Sequence, residues 1–155
     1  MQDPQPTADA TSLAEQTREV ALRWFHAQST GDVQTMMACL DPDIEFINYS
    51  VVPGYNDAMP WIGTFKGFDA TVASFKVFID TCEPMHEELL MLVCEGDQAA
   101  GRVHEISRVR ATNQTFEIEF VQWMTIRKGR IVRWKSYTDP SPILRAIRGD
   151  NPASA

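Results

Sequence analysis

Between Gly101 and Asp139 the chain reads GRVHEISRVR, a polar break at Ala111-Thr112-Asn113, and then QTFEIEFVQWMTIRKGRIVRWKSYTD. This stretch limits the fold more than any other. Phe116, Ile118 and Phe120 alternate with Glu117, Glu119 and Val121, the period of two expected of a strand with one buried face. Lys128-Gly129 lies between two β-rich runs and signals a tight hairpin. Upstream, Met85 to Glu95 and Gln98 to Arg110 read as two further strands, turned at Gly96-Asp97. Residues 85–138 therefore predict a four-strand antiparallel meander. Strands of such length in one sheet must twist and curl.

The other half of the chain is mostly helical by pattern. Ser12 with Glu15 forms a capping-box signature for a helix over 12–30, which carries Leu13, Val20, Ala21 and Trp24. Asp32 is placed to cap a second helix over 32–40, stopped by Asp41-Pro42. Ile44 to Tyr49 is a short strand, and Val51 to Gly63 is a loop of the length used for lids and binding loops. A third helix over 68–82 aligns Phe68, Val72, Phe75 and Ile79 on one stripe. Ser141-Pro142 and Gly149 bracket a last short helix, Ile143 to Arg148, with Asp139 helping to start it. Helices at one end and an antiparallel sheet at the other define an α+β domain. A curved sheet wrapped around three helices forms a cone with an internal pocket. The domain spans 11–149, with tails at 1–10 and 150–155.

The chain has 155 residues, 44% of them hydrophobic, enough for one domain with a sizeable core. Its net charge of −7 argues against nucleic acid and anionic membranes as partners. No apolar run approaches the roughly 18 residues of a membrane span. The first residues carry neither a basic n-region nor an apolar h-region and do not read as a signal peptide, and the cysteine usage is that expected of a cytoplasmic protein. Cys39, Cys82 and Cys94 are odd in number and lack CxxC spacing, so reduced thiols are expected, with no metal and no cofactor.

Three strings then carry a resemblance: FHAQSTGDVQTMMACLDPDIEF, GTFKGFDATVASF and IRKGRIVRWKSYTDPSPILRAI. Over about residues 12–148 the chain resembles the nuclear transport factor 2-like superfamily. That group includes SnoaL-like polyketide cyclases, ketosteroid isomerase, limonene epoxide hydrolase and scytalone dehydratase. The resemblance implies a cystatin-like α+β roll, a homodimer packed through the sheet, and cofactor-independent chemistry in the cone. Against limonene epoxide hydrolase, its Arg-x-Asp pair becomes Arg102-Val103-His104. Its last-strand carboxylate becomes Ser136, and its Tyr-x-Asn becomes Phe46-Ile47-Asn48. Against ketosteroid isomerase, Asn48 takes the place of the base and Trp24 that of the tyrosine acid. Against scytalone dehydratase, His86 matches the first catalytic histidine, while the second falls near Arg110.

Arg102, His104 and Ile106 share one strand face, because side chains alternate across a strand. The resemblance turns that face towards the pocket. His104 then reads as a general acid or base, or as a hydrogen-bonded pocket histidine. Arg102 reads as an oxyanion clamp or as a surface ion-pair partner. Asn48 reads as a donor to a substrate oxygen or as a turn residue. The expected substrate wall comprises Trp24, Tyr49, Trp61, His86, Ile106, Phe116, Ile118, Phe120, Trp134 and Ser136, the tryptophans serving as stackers or as core. Glu117 and Glu119 are assigned to the solvent or subunit side. Two functions compete. One is an isomerase, cyclase, dehydratase or epoxide hydrolase acting on a small apolar or carbonyl-containing molecule. The other is a non-catalytic ligand-binding or dimerisation module. An accessory subunit with a filled cone is a third.

Overall fold

The computed structural model describes Pro4 and residues 8–150, with side chains from residue 12 onward apart from Pro4. The tails expected at 1–10 and 150–155 fall largely outside the described residues. Ten elements follow one another: α1 (Ala8–Thr30), α2 (Val33–Ala38), β1 (Leu40–Asn48), β2 (Gly63–Lys66), α3 (Phe68–Thr81), β3 (Cys82–Glu95), β4 (Gln98–Val109), β5 (Thr115–Arg127), β6 (Arg130–Tyr137) and α4 (Ser141–Arg148).

The strands form one curved, open sheet in the order β2-β1-β6-β5-β4-β3. β3 to β6 make the antiparallel meander that the alternation predicts. Three turns join its strands, the first at Gly96-Asp97, where Gly96 takes φ 55°. Lys128 and Gly129 both have positive φ, 51° and 75°, as a hairpin turn matched to strand twist requires. At the polar break, Asn113 takes φ 58° and its N–H donates to Val109 O.

The sheet differs from a purely antiparallel one at its other end. β1 runs parallel to β6, and β2, which begins at the last residue of the expected loop, pairs antiparallel with β1. Neither pairing is announced by a local turn, since a long loop separates β1 from β2 and the partners of β1 and β6 lie about ninety positions apart. Asp41-Pro42 is also not what stops α2, which ends at Ala38 with Cys39 as its cap. That dipeptide lies within β1, where the register shifts between Leu40 and Glu45 and a proline is tolerated.

Helix ends follow local chemistry with two exceptions, Ser12 and Ser141. Asp32 caps α2, its carboxylate accepting from Thr35 N at 3.1 Å and Thr35 Oγ1 at 2.6 Å. Asp139 starts α4 by accepting from Ser141 N, and Gly149 closes it in the left-handed region; Ser141, expected just outside the helix, is instead its first residue, with Pro140 at the cap position. Ser12 is no cap, because α1 begins at Ala8; its hydroxyl instead accepts from Gln16 on the helix surface.

α1 and α3 cover the concave face of the sheet. Val20, Trp24 and Phe25 from α1 meet Val103, Phe120, Met124 and Trp134 in one buried cluster, with Phe75 of α3 against it. α1 lies very close to the sheet at Gly101, where a Cβ would stand 2.2 Å from the Phe25 ring. Under the rim, Thr17 donates to Gly96 O at 2.7 Å and ties α1 to the β3–β4 turn.

Candidate functional site

The inner face of β4 is set by its burial. Ala99, Gly101, Val103, Glu105, Ser107 and Val109 are buried, while the intervening residues are not. Arg102, His104 and Ile106 therefore point away from the cavity, the reverse of the expected orientation. The physical reason is amphipathic. Their face also carries Arg108, and Arg102, His104 and Arg108 each find a carboxylate on the solvent side of neighbouring strands. His104 Nε2 lies 2.7 Å from Glu117 Oε1, Arg102 pairs with Glu119 at 3.9 Å, and Arg108 pairs with Glu83. His86 joins this network, with Nε2 3.4 Å from Glu88 and its ring 5.2 Å from that of His104. Among the described residues, His86, Glu88 and His104 form the one group of three metal-type donors within 4.8 Å. Their donors already face one another and Glu117 across the surface.

On the other side the cone encloses a cavity of about 690 Å³. Trp24, Phe46, Trp61, Phe75, Phe120 and Trp134 form much of its wall, with Asn48, Tyr49, Glu87 and Glu105 as polar members and His86 at the rim. Asn48, Tyr49, Trp24, Trp61, Phe120 and Trp134 thus stand on the cavity as expected. Phe116 and Ile118 also point inward but end in the core. Ser136 is buried one step behind the wall.

Glu87 and Glu105 are the groups the sequence reading missed. They sit opposite each other on β3 and β4, as Cα partners in the ladder. Directly opposed side chains on one sheet face have Cβ atoms roughly 5 Å apart. Glu105 is 5% exposed, and Glu87 keeps some surface, in a pocket open to solvent. Burial, and for Glu87 also the Glu105 charge, pushes both carboxyls up. The pair titrates near pH 7 and 8, against an ordinary range near 4.5. The Ser107 hydroxyl donates to Glu105 Oε1 at 2.6 Å and favours its ionised form. A signal existed: Val103 and Val109 mark the inner face of β4, and Glu105 is the lone charge in register with them.

The polar end of the wall is held from behind. Ser136 Oγ donates to Asn48 Oδ1 at 3.0 Å and accepts from Tyr49 N at 3.2 Å. That anchor holds Tyr49 at φ 50°, a left-handed conformation a bulky residue adopts only under constraint. Burial, then the charges of Glu105 and Glu87, raise the Tyr49 phenol well above its usual range, so it remains a proton donor. Deeper in, Gln122 is fully buried. Its Oε1 accepts from Trp24 Nε1 at 2.8 Å and Trp134 Nε1 at 3.0 Å, and its Nε2 donates to Gln28 Oε1. One amide thus fixes two aromatic walls.

A curved sheet closed by helices around an acidic, aromatic cavity defines a cone of the nuclear transport factor 2-like type. The family model for the SnoaL-like domain matches residues 21–134, and the chain belongs to that family. A nuclear transport factor 2-like protein from Burkholderia xenovorans LB400 is 25% identical, with a TM-score of 0.72 over 86% of this chain and 97% of that one. A candidate SnoaL-like polyketide cyclase from Jannaschia sp. CCS1 is 17% identical, with a TM-score of 0.70 over 98% and 100%. A candidate isomerase from Rhodopseudomonas palustris is 16% identical, with a TM-score of 0.70 over 84% and 96%. The last two show likeness of fold. No curated protein matches the chain. Among the described residues, no helix is long and apolar enough to cross a membrane.

Proposed function

We propose that this protein is a cofactor-independent enzyme that moves a proton on a small, largely apolar molecule held in the cone. The observation that carries the reading is the Glu87–Glu105 pair, opposed inside the cavity. Two carboxyls whose titration is displaced towards neutrality supply one base and one acid at the same pH. Glu105, favoured as the anion by Ser107, takes a proton from a carbon beside a carbonyl. The C–H electron pair moves towards the carbonyl oxygen. Tyr49 and the Asn48 amide donate to that oxygen in this reading, and Glu87 returns a proton to oxygen or carbon. His104 and Arg102, expected as the catalytic pair, have no part in this scheme because they face outward.

The test needs no known substrate. Exchange of α-hydrogens for deuterium is followed by NMR over a panel of small ketones in D₂O. The wild type should accelerate exchange of at least one ketone. Glu105→Gln should lower that rate by about 100-fold or more, and His104→Gln should leave it unchanged. A Glu105→Gln protein that exchanges at the wild-type rate ends the proposal. A ligand-binding module is the second reading, favoured by Asn48 and Ser136 standing where the resemblance places carboxylates. It predicts ligand binding with no exchange by any variant.

A further inference from the structure

Among the described residues, the Glu87–Glu105 pair has no cationic partner in the cavity. Its influences are burial, mutual repulsion and the Ser107 hydroxyl. Glu87 has no hydrogen-bond or ion-pair partner among the described residues. The one lysine of the wall, Lys76, is 75% exposed and bound to Asp80 at 2.6 Å. His86, at the rim, faces Glu88. The wall therefore presents unbalanced negative charge set among aromatic rings. Gln28, Ser29, Thr30 and Gly31, the carboxyl end of the 23-residue α1, border the same space, and the last turn of α1 holds no basic side chain. A helix C-terminus carries partial negative charge and favours cations.

We infer that the cavity takes an organic cation: a protonated or quaternary amine bearing an apolar body, its nitrogen against the Glu87–Glu105 pair and its body among Trp24, Phe46, Trp61 and Trp134. This deepens the proposed function and rests on its reading of the carboxylate pair as the working group of the cavity. Three features converge on it. A carboxylate pair sharing about one proton near neutral pH carries one net negative charge, which a monocation balances. Aromatic rings attract cations through their faces, most strongly where water is excluded. A cavity of about 690 Å³ lies within the range of sites for ligands larger than a bare ammonium ion.

Three probes with one skeleton separate charge from shape: 2-phenylethylamine, a cation at neutral pH, 2-phenylethanol, neutral, and phenylacetate, an anion. Binding at pH 7.5 is read by quenching of tryptophan fluorescence and by titration calorimetry. The expected order is amine, then alcohol, then acid, with the amine ahead of the alcohol by about tenfold or more. Glu87→Gln and Glu105→Gln should each reduce that lead, and the double variant should abolish it while alcohol binding persists. Binding of the amine should also release protons, seen as a dependence of the heat on buffer ionisation. Equal or reversed order in the wild type overturns the inference, as does a lead that survives the double variant. Loss of hydrogen exchange with the amine preference intact separates failure of the proton-transfer reading from failure of this one.

Discussion

At the residue scale, Glu105 shows how a buried carboxyl ties function to stability. An unfolded chain releases both protons of the pair in the ordinary carboxylate range, near 4.5, while the folded pair holds them to about pH 7 and 8. Between those limits the native state binds more protons than the unfolded state. Its stability therefore falls as pH rises and levels off above about pH 8. Tyr49 and Cys82, the other titratable groups beside the pair, are both pushed above this window by burial. His86 and Lys76 at the rim are common to wild type and variant and cancel in the comparison. Glu87→Gln should thus be more stable than wild type at pH 8.5 by about 1–3 kcal/mol, with the gap closing towards pH 5. Urea melts at both pH values check it; a gap that widens on acidification reverses the sign and refutes it. The misreading of β4 belongs to the same scale. Arg102 and His104 looked like a buried polar pair on an apolar strand. Yet alternation assigns faces only up to a flip, and a one-residue flip inverts every assignment. Val103 and Val109 decided the matter, and they put Glu105 inside.

At the element scale, what was legible was what local chemistry dictates. The meander β3–β6, the Asp32 cap, the Asp139 start and Gly149 stop of α4, and the Lys128-Gly129 turn follow from neighbours in sequence. What was not legible depends on distant partners: the parallel β1–β6 pairing, and β2, whose four residues become a strand only because β1 lies beside them. The seating of α1 on β4 is also invisible in sequence, although Gly101 is its trace. Its missing side chain admits the Phe25 ring, and a Cβ would also stand 3.0 Å from Leu89. Gly101→Ala should therefore overpack the joint between α1 and the sheet and cost about 1–3 kcal/mol. The midpoint of urea unfolding should fall with little change in slope. An unchanged midpoint would mean that Phe25 moves aside freely, and that α1 is not held by this contact.

At the scale of the whole molecule, the convex face of the sheet divides into two halves. One end carries the ion-pair network of His86, Glu88, His104 and Glu117. The other is apolar, along two rows that cross the strands in register. Met91, Arg102, Val121 and Tyr137 form one row, and Val93, Ala100, Trp123 and Lys135 the next. Met91 is 59% exposed, Val93 55%, Trp123 44% and Tyr137 48%. Adjacent exposed apolar side chains on an ordered sheet mark an interaction surface. A second copy of the chain is the simplest cover, since a two-fold axis through this face would set apolar rows on apolar rows. We therefore expect a homodimer through this face, with light scattering at micromolar concentration reporting twice the 17.5 kDa of one chain. Val93→Lys places two like charges near that axis without touching the cavity, and should weaken association on the order of 100-fold. The folded monomer should retain its near-ultraviolet circular dichroism and its cavity ligand. A wild-type chain that scatters as a monomer under these conditions removes the dimer, and the exposed rows then need another partner.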